Sequence, residues 1–178
     1  MNDWKLLLQH RDFRRLWLAL VADNLGTWCV IATLPILVAE RFGAGNALVI
    51  TLGLRLLPRI VLAPLAGMLL QRFGARRTGA AALALTGLLT VALPWCHGFA
   101  VLQGAILATG MLDVFVTLAM LALRSPVTPR GLELAGNTVF ASADRLAKFV
   151  GPAIGGLAVS VGFAIAYAGF GAAILLAA

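Results

Sequence analysis

Six runs of apolar residues follow one another down this chain with only short polar breaks between them, at about 16–38, 47–70, 78–96, 99–123, 134–158 and 163–178. A helix needs about 17–25 apolar residues to cross the hydrocarbon of a bilayer. Each run reaches about that length, the last only just; the first is read as ending near Pro35, and a break at Val161-Gly162 separates the fifth from the sixth. A backbone crossing lipid must satisfy its own hydrogen bonds, so runs of this length are expected as helices. The expected fold is therefore all-α, a polytopic bundle of six transmembrane helices.

Composition agrees: 61% of the 178 residues are hydrophobic and 12% are charged, too little polar surface for a water-soluble domain of this size. The formal net charge of +7 raises nucleic acid as a partner. The cations, however, lie between apolar runs and not along one exposed face, which argues against it. Cys29 and Cys96 stand in or at the end of apolar runs without CxxC spacing, so small apolar fillers are expected in place of a disulfide or zinc site. Lys5, Arg11, Arg14 and Arg15 precede a run long enough to span, which makes it a first transmembrane helix and not a cleaved signal. Trp4 and Trp17 are placed as interface anchors.

Between the second and third runs stands Gly-Met-Leu-Leu-Gln-Arg-Phe-Gly-Ala-Arg-Arg, 67–77, read as a span end followed by a basic turn at 71–77. With Pro126, Pro129 and Gly131, the stretch 124–133 reads as a second basic loop, whereas 40–46 and His97-Gly98 are turns on the other side. Nine cations (Lys5, Arg11, Arg14, Arg15, Arg72, Arg76, Arg77, Arg124 and Arg130) fall on one side against Arg41 on the other. The positive-inside rule then puts the N-terminus in the cytoplasm. The sixth run stops at Ala178 without a basic flank, so an incomplete sixth helix and an absent C-terminal half are expected.

Seven charged residues remain inside the spans: Asp23, Arg55, Arg59, Asp113, Asp144, Arg145 and Lys148. Each costs roughly 2.5–3.5 kcal/mol at mid-bilayer if isolated, so they are expected to face one another or a watery cavity. Arg55 and Arg59 share a helix face, and Arg59 is placed to pair with Asp23 across spans one and two. Asp144 and Lys148 are spaced i, i+4, either a functional pair or charges that cancel on insertion. Asp113 stands alone near the centre of span four, either a proton site or a structural carboxylate. Asp23 and Asp113 are the candidate proton sites.

Span five carries Gly151-Pro152-Ala153-Ile154-Gly155-Gly156, where proline bends the helix and glycines admit a neighbour. Pro64-Leu65-Ala66-Gly67 in span two echoes its Pro-x-x-Gly spacing, as two inverted triplets of helices (3+3) would require. There is no HExxH, no GxSxG and no His/Cys/Glu cluster, so no enzyme, cofactor or metal is expected. His10 and His97 read as surface groups on opposite faces.

Taken together, these residues resemble the N-terminal half of a major facilitator superfamily transporter over nearly the whole chain. Gly67-x-x-x-Gln71-Arg72-x-Gly74-x-Arg76-Arg77 is similar to that superfamily's loop signature, implying a gating role; Gln71 stands where the family has an acid. Gly151, Pro152, Gly155 and Gly156 resemble the antiporter motif of exporters, with Ala147 replacing an earlier glycine. Arg11-Asp12-Phe13-Arg14-Arg15-Leu16-Trp17, with Asn24-Leu25-Gly26-x-Trp28, and Val127-x-Pro129-Arg130-x-x-Glu133-Leu134-x-x-x-Asn137 resemble the siderophore and macrolide exporter branch. Gln103-Gly104 follow Ala100 and lack the arginine that many proton-coupled exporters carry there.

The resemblance implies one half, residues 1–178, of a 12-helix efflux transporter of a bacterial inner membrane. It would exchange a small-molecule substrate for protons by alternating access, and would need a C-terminal half or a second copy to do so. The competing readings are a polytopic scaffold or accessory subunit without transport, and a nonfunctional truncated fragment.

Overall fold

The computed structural model describes residues 3–43 and 45–178. Ala44, within the expected turn at 40–46, lies outside the described residues, as does the side chain of Lys5. The described residues form eight α-helices and no strand: α1 (Asp3–Gln9), α2 (Arg11–Phe42), α3 (Asn46–Val61), α4 (Ala63–Phe73), α5 (Ala75–Ala92), α6 (Phe99–Val127), α7 (Glu133–Val161) and α8 (Phe163–Ala177). A short 3₁₀ turn, Leu93–Trp95, closes α5.

Among the described residues three helices, α2, α5 with its 3₁₀ turn, and α6, are long and apolar enough to cross a membrane; α3 and α4 together make a fourth candidate. The chain is thus an integral membrane protein. At 29 residues α7 is about 44 Å long, but its charges set it apart from an ordinary apolar span. The last helix, α8, has 15 residues.

Several expected boundaries move. Where one unbroken second span was expected, α3 and α4 meet at a 56° bend around Leu62. Pro64 brings no N–H to the Ile60 carbonyl, and Pro58 already lies in the last turn of α3, so the helix breaks where two prolines flank it. The first span does not end near Pro35: α2 continues to Phe42, carried past the proline by buried Leu34, Leu37 and Val38. Nor is the basic stretch 71–77 a loop. Gln71 and Arg72 end α4, Arg76 and Arg77 open α5, and Gly74 alone, at φ 85°, turns the chain. Likewise α6 runs through Arg124 and Pro126 to Val127, which shortens the second basic loop to 128–132. Glu133 closes that loop, its carboxylate accepting the Gly131 N–H at 2.9 and 3.0 Å. Pro152 does not interrupt α7, and the break expected at Val161-Gly162 is present, with Gly162 at φ 133°.

The arrangement of helices follows from where small residues let backbones meet. α2 lies against α7 and α8, α5 against α6 and α8, and α3 with α4 against α6. A Cβ on Gly87 would stand 3.0 Å from the Gly171 carbonyl, and one on Gly171 would stand 2.7 Å from the Gly87 carbonyl, so α5 and α8 meet glycine to glycine. Two apolar cores fill the ends of the bundle. One gathers Leu7, Phe13, Leu83, Met120 and Phe140, with the Phe13 and Phe140 rings 4.9 Å apart. The indole of Trp17 packs beside this core, while Trp4 is half-exposed. The other gathers Leu34, Leu37, Leu93, Leu102, Tyr167 and Phe170. At that end Arg41 donates to the Pro94 carbonyl at 2.6 Å and to the Cys96 carbonyl at 3.1 Å, tying α2 to the 3₁₀ turn. Between the two cores the packing opens.

Candidate functional site: a charged cavity inside the bundle

The opening is a cavity of about 420 Å³ between α2, α3, α6 and α7. Asp23, Arg59, Asp113, Asp144 and Lys148 all reach it, five of the seven intramembrane charges named from the sequence. Arg55 lines a smaller adjoining cavity, together with Asp113. Arg145 is not brought in; it is exposed on another face of α7.

The pairing within the cavity differs from the expectation. Arg59 joins Asp113 at 2.5 Å and not Asp23, because α3 lies along α6 while α2 turns its closest face to α7. Asp113 is therefore not isolated. The Arg59 side chain is 53% exposed, so this bridge contributes on the order of 1 kcal/mol or less. Lys148 meets Asp144 at 2.6 Å, as the i, i+4 spacing predicts, and its ammonium lies 5.5 Å from the centre of the Trp28 ring. None of the ion pairs among the described residues includes Asp23. That carboxylate is 6% exposed, with Thr27 as its side-chain neighbour one turn along α2.

Arg124 is the lining residue that sequence reasoning placed elsewhere. Counted as a loop cation, it lies on α6 with its guanidinium 5.2 Å from the Phe140 ring centre and its Nε buried without a hydrogen-bond partner. The signal was present: Asp113, Thr117, Met120 and Arg124 are spaced i, i+4, i+7 and i+11, one face of one helix. Asn24, Thr27 and Trp28, which complete the α2 wall, follow Asp23 on the same reasoning.

The cavity thus holds three acids (Asp23, Asp113 and Asp144) and three bases (Arg59, Arg124 and Lys148). Taking up one proton on an acid moves its formal charge from balance to one positive. Such a site can couple proton binding to the affinity for a charged or polar solute.

The remaining candidates fall in two places. Gly67, Gln71, Arg72, Gly74, Arg76 and Arg77 surround the single-residue turn between α4 and α5, where Gln71, Arg72, Arg76 and Arg77 are exposed. A Cβ on Gly151 would come within 2.6 Å of the Trp28 Cβ, and one on Gly155 within 3.0 Å of the Cys29 carbonyl oxygen; both glycines face α2. Gly156 has open space beside it, and Pro152 is exposed. The Cys29 thiol donates to the Gly151 carbonyl at 3.1 Å, so this cysteine tethers α2 to α7 besides filling space.

Long apolar helices around a charged internal cavity define a polytopic membrane protein built to handle a solute within the bilayer. Residues 16–178 match the Major Facilitator Superfamily, and the chain belongs to that family. It is a transporter of the major facilitator type, acting on small molecules across a lipid bilayer. No curated protein matches the chain.

Proposed function

We propose that this chain is the N-terminal six-helix half of an exporter that exchanges small molecules for protons, with Asp23 and Asp113 as its proton sites. The observation carrying this reading is the gathering of Asp23, Arg59, Asp113, Asp144 and Lys148 around one cavity. Six spans in two inverted triplets fit the packing. With α2, α3–α4 and α5 as one triplet and α6, α7 and α8 as the other, α2 on α7 corresponds to α6 on α3–α4, and α2 on α8 to α6 on α5. The contact of α5 with α8 maps onto itself.

The need for a second half, whether a C-terminal one or another copy, has its own support. Arg59 and Lys148 side chains are 53% and 46% exposed on the cavity side. Charges at that depth need water or protein beyond them, not lipid. The excess of cations at 71–77, at 124–130 and near the N-terminus favours a cytoplasmic N-terminus in a bacterial inner membrane. In this scheme Gly67–Arg77 acts as the gating segment, and Gly151–Gly156 holds α7 close to α2 as the exporter motif does. The branch resemblance favours efflux.

The test is uptake into inverted vesicles from cells carrying the intact gene, with and without a proton gradient. Asp23→Asn and Asp113→Asn should each abolish gradient-driven transport while protein still reaches the membrane. Unchanged transport in both variants refutes the reading.

A further inference from the structure

Beside the main cavity lies a second, smaller one, walled by Thr27, Thr86, Thr90, Thr109, Arg55 and Asp113. It offers about 10 Å³ to the centre of a water-sized sphere, at the lower end of the roughly 10–15 Å³ that a single water requires. Val30 and Ile174 complete its walls, and a buried water needs about two to four polar partners, which the six polar side chains can supply. Thr86 is 7% exposed, and its hydroxyl is buried with no hydrogen-bond partner. A hydroxyl stranded in that way is costly in a bilayer interior. Thr109 donates its proton to the Ile106 carbonyl at 2.8 Å, which leaves its oxygen free to accept. Thr27 belongs to both cavities, and on the α2 side its side chain meets Asp23.

We propose that this cavity holds one water molecule, and that the water joins Asp113 to Asp23 through Thr27, making the two carboxylates one proton-binding unit. The inference rests on the reading of these acids as proton sites. The transfer conserves protons. Protonated Asp23 gives its proton to the Thr27 oxygen as Thr27 passes its own to the water, and the water gives one to Asp113. Thr27 and the water end as they began, and one proton has moved from α2 to α6. The charged and titratable groups around this path are Arg55 and Arg59 on α3, Arg124 on α6, Asp144 and Lys148 on α7, and Tyr167 on α8; α5 contributes only Thr86 and Thr90. Arg55 keeps the water oriented with its oxygen toward the guanidinium and a hydrogen toward Asp113.

Infrared difference spectra of the protein in liposomes, recorded against pH, follow the carboxylic C=O band directly and need no transport. Thr86→Val keeps the shape and removes the hydroxyl. It should shift the titration midpoint by about half to one pH unit and remove a water O–H band that moves on exchange into ¹⁸O water. Thr86→Ser should restore both. In an Asp113→Asn background, Thr86→Val should shift nothing further, because the water then no longer joins two acids. Equal shifts in both backgrounds, or a wild-type midpoint in Thr86→Val, overturn the shared unit while leaving the proton reading intact. A spectrum in which neither acid titrates overturns both.

Discussion

Of the seams in this bundle closed by glycine, the one between α2 and α7 and the one between α3 and α6 differ in what else they carry. Where α7 lies on α2, Gly151 and Gly155 press against Trp28, Cys29 and Thr33, the Cys29 thiol donates to the Gly151 carbonyl at 3.1 Å, and the Lys148 ammonium lies 5.5 Å from the centre of the Trp28 ring. Where α3 lies on α6, Gly110 presses against the Arg55 carbonyl, with 3.0 Å left for a Cβ. This second seam also carries Gln103 donating to Thr51 at 2.7 Å and the Arg59–Asp113 bridge. The first seam depends on shape, which has no neutral alternative position. The second depends on polar groups that can exchange partners with water, and the charged cavity opens beside it. A transporter needs both kinds: contacts that keep a helix pair rigid, and contacts that respond to a proton or solute.

The largest effect should come from spoiling the shape-dependent seam. In Gly151→Val the new Cβ meets the Trp28 Cβ at 2.6 Å and the Trp28 backbone at 3.3 Å, neither of them the free end of a flexible chain. The expected cost is about 1–3 kcal/mol or more, read as a large drop in Tm in detergent together with loss of transport. Gly156→Ala, whose new Cβ meets nothing within 4 Å, should leave Tm unchanged. Equal stability of the two variants would mean that the seam is not close-packed.

Much of this architecture is legible in the sequence because lipid imposes it. Apolar runs of spanning length announce helices, and Gly162 announces the break before α8. Two of the moved boundaries involve proline, which marks a stop in the sequence: Pro35 sits inside α2 among buried Leu34, Leu37 and Val38, and Pro126 is accommodated in the last turn of α6. The converse error was at Leu62, where Pro58 and Pro64 together do break the helix. In the cavity, intramembrane charges stand out because isolation would be so costly. Their partners do not, since Arg59 choosing Asp113 over Asp23 is decided by which helices lie side by side. Arg124 was hidden by its reading as a loop residue.

A smaller effect should come from the polar seam. A double-mutant cycle on Arg59→Gln and Asp113→Asn should return a coupling on the order of 1 kcal/mol or less, given that half of the Arg59 side chain is exposed. Stability in detergent, followed by thermal unfolding, reads it. With Asp113 a proton site, as proposed, transport should fall far more in Asp113→Asn than this coupling explains. A coupling as large as the Gly151→Val penalty would make the two seams alike and remove the contrast drawn between them.

The smallest effect should come from Asp144 and Lys148, an ion pair within α7 whose one reach across a seam is the Lys148 contact with the Trp28 ring. Both side chains are partly exposed, at 35% and 46%, and an i, i+4 pair of this kind is worth about 0.3–0.5 kcal/mol. Lys148→Met keeps most of the aliphatic stem over Trp28 and removes the charge, so Tm should barely move. The cavity balance nevertheless changes, with three acids now facing two bases. Proton affinity should therefore rise, and the pH midpoint of transport should move upward even though stability does not. A Tm change comparable to that of Gly151→Val, with the pH profile unmoved, would place Lys148 among the groups that hold the helices together and not among those that tune the cavity.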